Sequence, residues 1–329
     1  KRAGRTYLGI LMGTSIVGLL LAILWTWQLA GTLEFKAGGI LEGHVDPLTA
    51  GLLLALFAFG TGKAALMPMH RWLPAAMVAP TPVSALLHAV AVVKAGVFTI
   101  LKVGVYIFGT DLLSRGGSSV WLMYVAGGTL LTASLVALTR DNLKERLAYS
   151  TISQLAYIVL GISLATESGV IGSGMHIVMH AFGKITLFFC AGAILIGAHK
   201  TRVSELDGLG RRMPWTFAAF AIGSLSVIGL PPVGGCWSKW FLALGTVEAG
   251  QWPLLAALMV SSLLNIAYLA PIPLRAFLCD PADVDRDVSA GGEAPLACVI
   301  PLCLTAAGCV VLFFNADPIY QFLSSVTSN

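Results

Sequence analysis

Apolar runs separated by short polar loops dominate this chain. Stretches of about 20 apolar residues recur from end to end, each long enough to cross the hydrocarbon core of a bilayer as a helix. They fall at roughly 6–30, 47–78, 82–109, 119–138, 148–166, 174–199, 214–248, 252–278 and 295–314, about nine spans. Backbone polar groups in lipid must be satisfied within the segment, so the spans are expected to be helical. The pattern therefore predicts an all-α, polytopic membrane helix bundle forming a single membrane domain over 1–329.

Two of these spans are too long for one straight helix, and both contain proline. The second is expected to break near Met67-Pro68, and the seventh at Pro231-Pro232, with Gly229, Gly234 and Gly235 around it. Proline removes a backbone donor and clashes with the preceding turn. In a membrane such breaks persist where the freed groups are buried or line a wet cavity. The breaks lie five spans apart, and each has a lysine close by, Lys63 and Lys239. Interrupted helices at corresponding places point to an internal repeat and an ion site. With five spans per repeat, the second copy is expected to be inverted relative to the first. The second copy is expected over 119–278, with a loop and terminal helix over 279–329.

Composition agrees with this class. Hydrophobic residues make up 57% and charged residues 11%, against about 25% charged in soluble domains. The net charge of +4 does not point to nucleic acid, because the basic residues cluster in particular loops. Lys1, Arg2, Arg5, Arg140, Lys144, Arg146, Lys200, Arg202, Arg211, Arg212, Arg275 and Arg286 fall on one side, and Lys36 and Arg115 on the other. The positive-inside rule then puts the N-terminus in the cytoplasm and the C-terminus outside, in a bacterial inner (plasma) membrane. The six cysteines form no CxxC pair, and no GxGxxG with an acidic partner is present. No cofactor, no metal and no catalytic chemistry are expected in this chain. The acidic segment 279–293, with Asp280, Asp283, Asp285, Asp287 and Glu293, reads as a solvated loop. The chain opens on Lys1 without a signal-peptide pattern, as expected for a piece of a longer protein.

The residues that do not belong in an apolar bundle carry the functional signal. A charge at the bilayer centre costs roughly 2.5–3.5 kcal/mol on insertion scales. His176, His180 and Lys184 follow one another at intervals of four, so they line one stripe of a helix. Groups that titrate, set in a row and bridged by water, hand a proton along. His88 and Lys94 share the third span, but six residues is about 240° of turn, so they are expected to face different directions. Lys102, nearer the span end, is expected to snorkel to the interface. Ser150, Thr151, Ser153 and Gln154 are read as capping and packing residues. No Asp or Glu lies in the middle of a span. On the residues alone, the mobile species reads as a proton. The proton path expected from them is Lys63, His88, Lys94, His176, His180, Lys184 and Lys239.

Longer motifs add a resemblance. Gly62-Lys63, then Pro68-Met69-His70-Arg71-Trp72-Leu73-Pro74, then Pro80-Thr81-Pro82-Val83-Ser84-Ala85-Leu86-Leu87-His88 resemble the antiporter-like, proton-translocating subunits of respiratory complex I, Mrp-type cation/proton antiporters and membrane hydrogenases. Arg146–Gln154, Met179–Lys184, and Gly229-Leu230-Pro231-Pro232 with Gly235-Cys236-Trp237-Ser238-Lys239 extend it over roughly 55–245. The resemblance implies two inverted five-helix repeats within a fourteen-helix subunit, the first incomplete here with its remainder over 1–118, and channel lysines at Lys63 and Lys239. It also implies a His/Lys relay at His176, His180 and Lys184 and a connecting histidine at His88, while Lys94 resembles a lysine of some members only. A glutamate that modulates the lysine at the position of Lys63 is implied on a helix ahead of Lys1. Either the full protein supplies that helix, or the chain does not pump alone. The implied partners are other membrane subunits, with protons as cargo and sodium as a possible exchange ion. The alternatives are a non-pumping scaffold and a quinone-linked oxidoreductase subunit.

Overall fold

The structure, a computed structural model, describes residues 2–115, 117–280 and 292–327. Lys1, Asp283, Asp285, Arg286 and Asp287, invoked above for topology and the acidic loop, lie outside the described residues. Among the described residues, six helices are long and apolar enough to cross a membrane. They are α1 (Ala3–Ala30), α3 (Thr81–Phe108), α4 (Val120–Thr139), α6 (Glu167–Ala198), α9 (Trp252–Leu278) and α10 (Leu296–Phe314). Between them lie α2 (Pro47–Gly60), α5 (Leu143–Ser163), α7 (Pro214–Ile228) and α8 (Gly235–Glu248), and α11 (Asp317–Thr327) follows α10.

Local chemistry sets the helix starts. Asp46 caps α2 by accepting from the backbone N–H groups of Leu48 and Thr49, with Pro47 in the first turn. Asn142 caps α5 through Glu145 N–H, and Thr166 caps α6 through Gly169 N–H. Glu293, expected to be part of a solvated loop, instead accepts from the N–H of Trp215 at 2.9 Å and from Thr216, holding the start of α7. Asp280 of the same segment pairs with Arg211 at 3.3 Å.

Helix α6 is the hub, packing against α5, α7, α8 and α10, and also against α3 and α11. On its far side α5 lies along α4, which in turn packs on α9. Both expected breaks are present. The seventh span separates into α7 and α8 around Gly229, whose φ of +88° suits glycine, and Pro231-Pro232. A Cβ on Gly235 would meet the Ser226 carbonyl oxygen at 1.8 Å, so only glycine lets the two halves approach this closely. The earlier span stops at Gly60, well before Pro68, and Lys63 lies in the irregular stretch beyond it.

The loop between α4 and α5 is tied to the segment after α6. Val203 N–H donates to Asp141 O at 2.7 Å, and Leu143 N–H to Thr201 O at 2.9 Å. The Asp141 carboxylate also accepts from the Ser204 amide and hydroxyl. Slight burial works to raise the Asp141 carboxyl, but the Ser204 bonds, with Arg202 and Arg146 nearby, outweigh it and hold it below its ordinary value. A lowered carboxylate contributes stability that is complete above the unfolded value, about pH 4, and fades as pH falls through the folded one. The hydrogen-exchange protection of Ser204 N–H is therefore expected to drop on acidification in the native chain. In Asp141→Asn it is expected to be low and independent of pH.

Candidate proton path in the membrane core

The α6 stripe is built as its spacing requires. The His176 and His180 rings stack with centroids 5.7 Å apart and planes 16° from parallel. His176, His180 and Lys184 are all buried. His180 Nδ1 lies 2.6 Å from Lys94 Nζ of α3. At that distance the two nitrogens hydrogen-bond, with either an ammonium donating to the imidazole or an imidazole N–H donating to the amine.

His176 is held at both nitrogens. Nδ1 is 2.8 Å from Ser238 Oγ of α8, and Nε2 is 3.1 Å from Gln154 Oε1 of α5. Ser238 Oγ also reaches Gly235 O at 3.1 Å. This set suits both protonation states. A charged imidazolium donates to Gln154 and to Ser238 while Ser238 donates to Gly235 O. A neutral ring keeps its Nε2 proton on Gln154, and the Ser238 hydroxyl turns to donate to Nδ1. Rotation of one hydroxyl is the only rearrangement between the two.

Lys184 turns away from the histidines toward α5, donating to Ser150 Oγ at 2.6 Å and Leu147 O at 3.3 Å. Lys239 of α8 donates to Ile228 O at 2.9 Å, an end carbonyl of α7 exposed by the break, and to Ser262 Oγ at 3.2 Å. Its Nζ sits 4.8 Å from the centroid of the Tyr157 ring. That ring stacks on His176 with centroids 5.8 Å apart. Lys94, His180, His176, Tyr157 and Lys239 thus form one contiguous file across α3, α6, α5 and α8.

His88 and Lys94 do not point apart as an ideal helix requires. Residues Leu86–Val90 form a π-helical turn, which takes an extra residue per turn and shifts the phase of the rest of α3. Both side chains consequently face α6, with His88 ring to ring on Phe188 at 5.3 Å and Lys94 on His180. Both His88 ring nitrogens, His180 Nε2 and Gln154 Nε2 are buried without a protein partner. Buried polar groups of this kind are ordinarily satisfied by internal water.

Lys63 is not brought into this file. It is exposed beside the first break, where its backbone lies so close to Gly96 of α3 that a Cβ there would meet it at 2.5 Å. Pro68, Pro231 and Pro232 lie at the two breaks. Lys102 Nζ lies 3.8 Å over the ring of Phe35, an exposed residue of the loop after α1. Ser150 and Gln154, read as capping and packing residues, prove to be the direct partners of Lys184 and His176. Tyr157 and Ser262 carry no comparable mark in the sequence, and Ser238 stands out only as a member of the Gly235–Lys239 motif. The only signal is position: Ser150, Gln154 and Tyr157 recur at intervals of three and four, one face of α5.

A buried file of lysines and histidines between two interrupted helices defines an antiporter-like polytopic membrane protein. The chain belongs to the family described as NADH:quinone oxidoreductase/Mrp antiporter, transmembrane, whose model matches residues 2–265. It is 33% identical over 321 residues to NADH-quinone oxidoreductase subunit N of Desulforudis audaxviator, covering 93% of this chain and 63% of that protein. Hydrogenase-4 component B of Escherichia coli is 31% identical over 339 residues, covering 96% of this chain and 49% of that protein. The chain therefore spans about half to two thirds of these relatives' length. A chain in the structure of the Mrp complex from Dietzia sp. superposes with a TM-score of 0.87 at 23% identity. The match covers 100% of this chain and 68% of that one, and shows the same fold.

Proposed function

We propose that this chain moves protons across the membrane as an antiporter-like subunit of a multisubunit complex, of the NADH-quinone oxidoreductase or Mrp type. Its partners on this reading are other membrane subunits, and its architecture is the inverted five-helix repeat. Its N-terminal end faces the cytoplasm. A charge change in a neighbouring subunit perturbs Lys63. A proton then passes by way of His88, Lys94, His180 and His176, past the Tyr157 ring, to Lys239 and the far side; Lys184, turned toward Ser150, is a further titratable site of the same stripe.

The observation that carries this reading is the 2.6 Å contact of Lys94 Nζ with His180 Nδ1 in the buried core. It joins the helix beside the first break to a stacked histidine pair that leads toward Lys239 at the second. Buried ionisable side chains cost insertion energy, and in membrane bundles they mark proton relays.

The test is proton translocation by the intact complex in sealed vesicles, measured with a pH-sensitive dye. Lys239→Ala and Lys63→Ala are each expected to abolish most of the signal while assembly persists. Wild-type translocation in both variants would sink the proposal.

A further inference from the structure

One end of the bundle carries two adjoining cavities that no step of the proton path uses. The larger, about 910 Å³, lies among the starts of α1 and α5, the end of α6 and the segment after Pro74. Lys144 and Lys200 line it against a single carboxylate, Glu145, among the described residues. The smaller, about 400 Å³, is a groove between the starts of α3 and α10 and the last turns of α6. Its lining is apolar apart from Lys144 and Thr81. Lys144 and Leu195 line both, so a chamber of net positive lining adjoins an apolar groove.

Unused polar groups meet where the two cavities join. Lys144 Nζ donates to Ala79 O at 3.2 Å, which sets the ammonium beside the turn leading into α3. That carbonyl takes one of the three protons an ammonium offers. No side chain caps the first turn of α3, so its leading N–H groups and the positive end of the helix are left at the groove. Thr81, the first residue of α3, is 8% exposed, and its Oγ1 has no protein partner. Gly192 of α6 makes room for it, since a Cβ there would meet Thr81 Cγ2 at 3.1 Å. Packing alone does not explain a buried hydroxyl left unpaired in a groove, because such groups are ordinarily satisfied.

We propose that this site holds one anionic phospholipid. Its phosphate sits among the Lys144 ammonium, the Thr81 hydroxyl and the α3 N-terminus, with the rest of the headgroup in the chamber and an acyl chain along the groove. Helix N-termini favour phosphate, and basic pockets between membrane helices take anionic headgroups. Thr81 opens α3, while Lys144 and Ala297 are second in α5 and α10, so the polar groups stand where the helices meet the headgroups. Below them the groove follows α6 from Phe189 to Ile196, about 10 Å at the rise of a helix. That is roughly a third of the hydrocarbon core, enough to seat part of a chain and too short for a partner's membrane helix. Ile196 is half exposed and leaves the groove open outward. The lipid thereby ties the start of α3, the helix of His88 and Lys94, to α5, α6 and α10.

Native mass spectrometry of the intact complex, stripped of lipid and titrated with dioleoylphosphatidylglycerol, reads the site as a bound lipid that a variant loses. Lys144→Gln is expected to weaken that lipid at least about tenfold, the effect of losing a hydrogen bond to a charged group. Thr81→Val keeps the shape without the hydroxyl and is expected to weaken it about fivefold. Lys144→Arg keeps the charge and is expected to retain it. Dioleoylphosphatidylcholine, with no net charge, is expected to bind the native site more weakly. Inorganic phosphate at the same concentration, which has no chain for the groove, is expected to leave the lipid in place. Thr81→Val carries the test if Lys144→Gln fails to assemble.

The lipid site is overturned if either assembled variant binds phosphatidylglycerol as the native chain does. Equal affinity for phosphatidylcholine overturns it as well, leaving an apolar groove without a headgroup site. Displacement by inorganic phosphate would assign the site to the free ion instead. None of these readouts is a proton flux, so they stand apart from the transport reading and fail separately from it.

Discussion

Lys94→Leu in the intact protein is expected to reduce proton translocation on the order of 10²-fold, the low end of what a positioned acid–base group contributes, with assembly intact. Lys94 is 7% exposed, and its Nζ touches His180 Nδ1 at 2.6 Å. No carboxylate hydrogen-bonds or ion-pairs with it among the described residues, so its retention adds nothing obvious to stability. Replacing a buried ionisable group by an apolar one of similar volume is often neutral or stabilising. Leucine also removes the insertion cost of the charge. The loss would therefore be one of proton transfer: His180 is left with neither ring nitrogen paired, since its Nε2 already lacks a protein partner. Vesicle acidification by a Lys94→Leu complex at the wild-type rate would show that the α3–α6 contact carries no protons.

Removing both anchors of His176 is the second large effect. In a Gln154→Leu, Ser238→Ala double variant the imidazole loses its partners at 3.1 and 2.8 Å. A hydrogen bond to a charged group contributes roughly 1.5–3 kcal/mol. Losing the two that stabilise the imidazolium is expected to slow transfer through His176 at least about tenfold, since about 1.4 kcal/mol is a factor of ten. Ser238→Thr keeps the rotating hydroxyl and is expected to retain most of the flux. Equal rates for the threonine and alanine variants, in the Gln154→Leu background, would rule out the hydroxyl switch.

The two variants also separate residues legible in the sequence from residues that are not. The stripe of His176, His180 and Lys184 comes from a spacing of four on a helix that folds as a regular one. The second break is legible because proline cannot continue the backbone ladder, whereas α2 stops at Gly60, eight residues ahead of Pro68, so that proline marks the interrupted stretch without setting where it begins. The expected divergence of His88 and Lys94 fails because the angular argument assumes an ideal helix, and the π turn at Leu86–Val90 carries no letter that announces it. Gln154 and Ser150 are underrated by sequence because the span reads as starting near 148, where a polar residue has a local use as a cap, whereas α5 starts at Leu143 with Asn142 as its cap and holds both residues well inside the helix. Their distant partners are fixed only once α5 and α6 pack. Glu293 escapes for a related reason: it caps α7, a helix that starts nearly eighty residues earlier.

By itself, then, the amino-acid order determined the class, the succession of apolar helices, the two interruptions and the set of titratable residues that are costly to hold in lipid. These depend on composition and on spacing along one chain. Only the tertiary structure decided which of those residues meet. It placed Lys94 on His180 and turned Lys184 toward Ser150. It left Lys63 exposed and gathered Ser134, Ser153 and Ser261 of α4, α5 and α9 into one hydrogen-bonded cluster. Those pairings depend on helix phase and on which faces pack together, and residues far apart in sequence, such as Ser150 and Tyr268, supply the two halves of each contact.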